Sequence, residues 1–399
     1  PDGTWKPIGL LQAYGDNKQI NFGLVTGSYG KNMSGGVLRK NISELTDEID
    51  VDHTGKFLKQ SDTDIDPGII KTLNRIRLYG YSYSDGKYNS GGDNCGSPGL
   101  MYSNLSDGKC SSWGNPMSEI YIESLRYLAG KSANTNFTSS LAKDDTLKLP
   151  LAQWSDPLNE KNYCSPLSVL MLNASVSSYD NNQVAMADVN GADAVTETTT
   201  IGSKEGINGH AFLVGNNGAA SPDLMCSAKT VDGLGTTNGI CPEAPAQYGS
   251  YLSAGAASFA HTNRIRTDIA VPATDKKSLK VDTYGIALAT NVPKIKVPVP
   301  GKTGQTVTIL PAMRCINPNY CGSGQIVEFK VIERDVVKGT GKYFVQWEDS
   351  QQGNDYDLDF YGIISYEFKN SGNQIDVTTQ VVGGAAGYTL GFGYVISGT

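Results

Sequence analysis

The chain has 399 residues, with 33 Lys and Arg against 40 Asp and Glu and a formal net charge of −7, so it carries no basic stripe for a nucleic-acid backbone to follow. Its length suffices for a large core and two domains, and no apolar stretch approaches the length of a membrane span. It opens at Pro1 with neither an initiator Met nor a signal peptide and closes directly on the apolar GFGYVISG, so it reads as a portion of a longer precursor.

Residues 5–14 (WKPIGLLQAY) predict a helix with Pro7 in its first turn. Ile20–Thr26 (INFGLVT), Leu167–Asn173 (LSVLMLN) and Lys280–Ala289 (KVDTYGIALA) are short, β-branched-rich apolar runs of the kind that form buried parallel strands. Gly35–Ile42 reads as a short edge strand. Asp66–Leu78 reads as a helix with Asp66 as N-cap and Ile69, Leu73 and Ile76 inward. Asn115–Ala129 is a well-marked helix, with Asn115 as N-cap, Pro116 at its first position, Gly130 past its end, and Met117, Tyr121, Leu125 and Leu128 on one face. Gln247–Asn263 is a second helix, with Tyr248, Leu252, Gly255 and Phe259 on one stripe. Strands and helices alternate in the order of a βαβαβ unit, so the expected fold class is α/β with a doubly wound, Rossmann-like sheet.

Residues 79–112 and 196–246 read as long polar insertions, the places where a scaffold carries function. Beyond Pro293 the pattern changes. Lys294–Val299, Thr306–Leu310, Ile326–Glu333, Tyr343–Trp347, Gly362–Phe368, Ile375–Val381 and Tyr388–Ile396 alternate apolar with polar between Gly/Asn/Asp turns, which predicts an antiparallel, sandwich-like β-domain over 293–399 after an α/β domain over 1–292.

The seven cysteines suit an oxidising compartment. Local spacing pairs Cys95 with Cys110, Cys226 with Cys241 and Cys315 with Cys321, each closing a loop. It leaves Cys164 either as a buried free thiol or with a partner upstream of Pro1. No C-x-x-C occurs and the three histidines lie far from any cysteine, which disfavours zinc. His53, His210 and His261 sit beside no G-x-S-x-G turn, reactive-looking Cys or H-E-x-x-H pair, and no G-x-G-x-x-G follows Ile20–Thr26, so no catalytic residue is assigned. His261 falls at a helix end, where a cation favours the dipole.

Asp355, Asp357 and Asp359 alternate, so extended backbone would put three carboxylates on one side. That is either a Ca²⁺ site or a solvated turn between strands. It is not an EF-hand, because Phe360 and Tyr366 occupy the positions where the loop needs Gly and Glu. Asp62, Asp64 and Asp66 form a similar triplet that helix capping explains. Tyr79, Tyr81, Tyr83 and Tyr88, among Ser, Gly and Asn, have the make-up of a binding loop, offering wide amphipathic area at small entropy cost.

Residues 20–41 (INFGLVTGSYGKNMSGGVLRKN), 113–130 (WGNPMSEIYIESLRYLAG), 164–180 (CSPLSVLMLNASVSSYD), 225–251 (MCSAKTVDGLGTTNGICPEAPAQYGSY) and 346–362 (QWEDSQQGNDYDLDFYG) resemble stretches of the PilY/PilC group, tip-associated adhesins and assembly factors of bacterial type IV pili. The resemblance runs along nearly the whole chain. It implies that the first domain is like a von Willebrand factor A module, its first strand falling upstream of Pro1. Neither the family's signal peptide nor its β-propeller is found here. The module's Mg²⁺ site would map Asn115 onto its Thr and Asn173 onto its strand-end Asp, with Asn173, Ser175 and Ser177 imitating Asp-x-Ser-x-Ser. Amide in place of carboxylate removes the charge that offsets Mg²⁺ dehydration, so a degenerate, metal-free site is expected. The implied function is that of an extracellular adhesin and assembly factor at a pilus tip or outer cell surface, exported through the periplasm. Its partners would be minor pilins and a host or abiotic surface receptor, and Ca²⁺ its one candidate cofactor. The alternative is a structural filament subunit without a receptor.

Overall fold

The computed structural model describes residues 9–15, 17–58, 68–89, 93, 105–139, 141–184, 186–217, 227–240, 248–288, 293–315, 324–349, 360–384 and 390–397. The chain begins with helix α1 (Leu10–Gly15), followed by strand β1 (Phe22–Thr26) and strand β2 (Val37–Ser43). These strands pair antiparallel, Thr26 opposite Val37 and Leu24 opposite Lys40. The apolar pattern of residues 20–26 predicts a strand of a parallel sheet instead. Only ten residues separate the two strands, and so short a link joins antiparallel neighbours, whereas a parallel pair needs a crossover of a dozen or more.

The first four residues of β2 are buried although Arg39 and Lys40 are among them. Both charges are matched. The Arg39 guanidinium donates to Asp144 Oδ1 at 2.5 Å, Thr26 Oγ1 at 2.8 Å, Gly27 O at 2.8 Å and Pro150 O at 3.0 Å. Lys40 Nζ meets Glu48 at 2.5 Å and Asp47 at 2.6 Å. Deleting one partner of such a pair would strand a buried charge.

Helix α2 (Ile69–Arg75) is shorter than expected and is capped by Gly68 rather than Asp66. Of its expected inward residues Ile69 is buried, while Leu73 and Ile76 are exposed. A short hairpin follows, β3 (Tyr81–Ser82) paired antiparallel with β4 (Lys87–Tyr88). Helix α3 (Met117–Leu128) buries Tyr121, Leu125 and Leu128 of its expected face while Met117 is half-buried, and Ile122 joins the buried set. Its C-terminal Gly130 has φ +69°, the left-handed turn that ends helices. At its other end Pro116 holds the cap position, which frees the Asn115 side chain for another task.

Short helices α4 (Thr135–Thr138) and α5 (Ala142–Thr146) lead to strand β5 (Leu167–Asn173). Helix α6 (Ala194–Lys204) comes next, within what the sequence had suggested is a polar insertion. Its signal was present: the Asp193 side chain accepts from Val195 N–H as an N-cap. A run of threonines with low helix propensity masked it. The small antiparallel pairs β6 (Ala211–Val214) with β8 (Ser227–Thr230) and β7 (Asn216–Asn217) with β9 (Thr237–Asn238) follow.

Helix α7 (Leu252–Thr262) starts later than expected, because Tyr248, at φ +53°, is not helical. Strand β10 (Val281–Ala287) then pairs parallel with β5 in unbroken register, Leu167 opposite Val281 through Asn173 opposite Ala287. One face of this pair, with α3 and α7, builds the first core around Leu125, Leu252, Ala256, Ile265 and Val281.

The last hundred residues match the expected strand order. β11 (Ile295–Pro298), β12 (Thr306–Cys315) and β17 (Leu390–Ser397) form one antiparallel sheet. β13 (Gly324–Asp335), β14 (Thr340–Asp349), β15 (Phe360–Lys369) and β16 (Gln374–Gly384) form the other. Alternation is strict in β15, where Phe360, Gly362, Ile364 and Tyr366 point inward. Trp347 and Phe360 stack with centroids 6.1 Å apart, and Phe392 of the other sheet packs against both.

Candidate interaction site

Asn115, just before α3, meets the loop that follows β5. Its Nδ2 donates to Asn173 Oδ1 at 2.7 Å, with Ser175 O and Oγ at 3.2 Å and Val176 O at 3.3 Å also in reach. Backbone bonds close the loop further: Asn115 N–H donates to Ser178 Oγ and Ser178 N–H to Asn115 O, each at 2.9 Å. The structure therefore brings Asn115, Asn173 and Ser175 together. Ser177 stays apart, its carbonyl against Gly249. An amide group points its hydrogens at the oxygens that a cation would need, and neutral oxygens offset little of the cost of dehydrating Mg²⁺.

The buried Asp180 carboxylate, two residues past Ser178, is committed elsewhere. Asp180 accepts from Ser118 N–H at the start of α3 at 3.0 Å and from Ser250 N–H before α7 at 2.6 Å. Burial raises its pKa, and these bonds oppose the rise. One residue further along α3, the buried Glu119 carboxylate accepts from Gly35 N–H at 2.6 Å and Gln183 N–H at 2.9 Å. Burial pushes its pKa up to about 7, with Asp180 and Asp107 adding to the rise. Gly35 is held at φ +46° with Phe137 so close that a Cβ would fall 2.0 Å from the ring, so only glycine fits this approach.

The tyrosine segment is anchored from below. Asp93 is fully buried, pairs with Lys143, accepts from Ser111 N–H at 2.8 Å and from the Tyr88 hydroxyl at 3.2 Å. Lys143 also donates to Gly108 O and Ser111 Oγ. Asn32 Nδ2 reaches Trp113 O at 2.7 Å and Lys109 O at 3.0 Å. Two of the four tyrosines expected at a binding surface are packing residues. Tyr79 lies against Tyr29 and under Lys143 Nζ, and Tyr88 lies against Trp113. Burial, aided by Asp93, raises the Tyr88 pKa. Tyr83 is the one of the four that is exposed, at 66%, and the half-buried Tyr81 packs edge to face against it at 4.8 Å.

Cys110 is disulfide-bonded. Cys95, Cys226, Cys241 and Cys321 lie outside the described residues, as does the Cys315 side chain, and so do Asp355, Asp357 and Asp359 and the triplet Asp62, Asp64 and Asp66. Cys164 is a free thiol, and it is exposed rather than buried. His261, in the last turn of α7, pairs through Nδ1 with Asp282 at 2.9 Å. Among the described residues no group of three His, Cys, Asp or Glu side chains could hold a metal ion, and no helix is long and apolar enough to cross a membrane.

Sequence reasoning did not find Asp93, Lys143, Asp144, Asp180 or Glu119. Their partners are backbone groups and side chains many residues away, and no local spacing marks them.

These observations define a class: a two-part scaffold, α/β and then antiparallel β, whose described polar clusters tie surface loops to the frame. The chain belongs to the PilY1 homolog family. Residues 22–260 match the family described as "PilY1 homolog, second domain", and residues 303–399 match "PilY1 homolog, beta-sandwich". Over 440 aligned positions it is 28% identical to the type IV pilus biogenesis factor PilY1 homolog of Xylella fastidiosa (strain Temecula1 / ATCC 700964). That alignment takes in 99% of this chain and 28% of the relative, so the chain spans little more than a quarter of the protein it matches. No solved structure matches.

Proposed function

We propose that the chain works outside the cell at or near the tip of a type IV pilus, joining minor pilins and contacting a host or abiotic surface, without enzymatic activity. The observation that carries this reading is the similarity, along 99% of the chain, to a relative named as a type IV pilus biogenesis factor. The exposed Tyr83, backed by Tyr81 above a base cross-braced by Asp93, Lys143 and Asn32, supports the contact role. Disulfide bonding at Cys110 suits an exported protein. In this reading the α/β domain is a degenerate von Willebrand factor A-like module in which the Asn115–Asn173 bond takes the place of a metal, and any Ca²⁺ is held by Asp355, Asp357 and Asp359.

Immunogold labelling of sheared pili, with adhesion assays on Tyr81→Ala/Tyr83→Ala, tests the proposal. Label at fibre ends and a loss of attachment at normal protein levels are expected. Label spread along the whole fibre, with adhesion unchanged, would move the case to a structural subunit without a receptor.

A further inference from the structure

The parallel pair β5–β10 has two unlike faces. Leu167, Val169, Met171 and Val281 turn toward α3 and α7 and join the first core. The alternate positions carry equally apolar side chains that stay largely open to solvent: Leu170 is 64% exposed, Leu172 64%, Tyr284 59%, Ile286 49% and Leu288 59%. Register places Leu170 opposite Tyr284 and Leu172 opposite Ile286, and Leu288 N–H extends the ladder by donating to Asn173 O at 2.9 Å. The five side chains thus form one continuous patch. Ser168 and Asp282 bound it at one end, and the Asn173–Ser175 loop bounds it at the other.

Parallel strands occur almost only where both faces are covered, because their crossovers put helices on them, and an isolated two-stranded ladder is marginal by itself. Here α3 and α7 lie against the same face. A bare apolar patch of this size and continuity marks a contact surface. From Tyr284 to Leu288 it runs roughly 13 Å at about 3.3 Å per residue, which a helix of about nine residues spans at 1.5 Å per residue.

We propose that this face is an intramolecular docking surface, covered in the natural polypeptide by an apolar helical stripe from a region outside residues 1–399. Two observations name that occupant over a foreign protein. The matched relative has most of its length outside the aligned region, and the family to which residues 22–260 belong is described as a second domain. The apolar alternation of β5 and β10 is also that of interior strands, with no charged residue from Leu170 to Leu172 or from Tyr284 to Leu288.

Thiol labelling of the natural full-length protein, resolved by peptide mass, decides it. With Leu172→Cys and, as the open reference, Val337→Cys at a site 91% exposed, a maleimide should label the first at least tenfold more slowly in a species that light scattering shows to be monomeric. Ile286→Asp, which disturbs the patch alone, should restore labelling at Leu172→Cys. Equal rates at the two sites, protection found only in a dimer, no gain with Ile286→Asp, or a natural polypeptide with no residues beyond these would each overturn the proposal.

Discussion

Glu119 is the residue whose surroundings make the plainest quantitative statement. Its carboxyl has an ordinary value of 4.5 and is raised to about 7 by burial. The folded state therefore holds a proton that the unfolded state has released between those values, so stability attributable to Glu119 falls as pH rises from about 4.5 to 7. A gap of that size corresponds to roughly 3 kcal/mol. Urea midpoints measured at pH 5 and pH 8 should show a loss in the wild type that Glu119→Gln, which lacks the titrating group, largely removes. An equal pH slope in both proteins would mean that the carboxyl titrates normally. At Asn173 the expectation concerns a ligand. Calorimetry with Mg²⁺ should give no binding heat, because the Asn115 amide already donates to Asn173 Oδ1; a Mg²⁺ isotherm that Asn173→Ala abolishes would contradict this. The meeting of Asn115, Asn173 and Ser175 was legible through the family resemblance. Asp180 and Glu119 were not, since each bridges backbone groups brought together by chain reversal.

At the level of elements, the crossing of α6 and α7 depends on an absent side chain. A Cβ on Gly255 would sit 2.3 Å from Thr198 Oγ1, 2.4 Å from its backbone nitrogen and 2.9 Å from Ala194 O. Two opposing effects act on Gly255→Ala. Helix propensity favours alanine by about 1 kcal/mol, whereas overpacking a close contact costs about 1–3 kcal/mol. Two of the three atoms met are backbone and cannot rotate away, so the second effect should win and the denaturation midpoint should fall; a raised midpoint would show that the helices separate freely. Periodicity alone marked Gly255 as part of the α7 stripe. That α6 is its neighbour was not legible, because the Thr-rich segment carries no long apolar period.

On the scale of the molecule, the two largest hydrophobic clusters share no residue. One is built by α3, α7 and the β5–β10 pair, the other by the facing sheets of the β-sandwich. Scanning calorimetry should accordingly resolve two transitions. Ile364→Val, which removes one methylene group at a fully buried position, should cost about 1 kcal/mol and lower one of them by roughly 4–8 °C. The other should stay in place. A single transition shifted as a whole would mean that the two parts unfold as one unit.

The amino-acid sequence by itself determined the strand order of the C-terminal antiparallel region, because alternation with period two is a local property that survives any arrangement of neighbours. It determined α3 for the same reason, its apolar stripe and terminal glycine being written within one helix length. Tertiary structure alone decided that β1 pairs with β2 instead of joining β5 and β10, that Leu170, Leu172, Tyr284 and Ile286 stay outside the described core, and that Tyr79 and Tyr88 support the tyrosine loop while Tyr83 faces solvent. Each of these is a matter of what lies opposite a side chain. An apolar run reads alike whether one of its faces is covered or both, and a tyrosine reads alike whether its ring meets water or another ring.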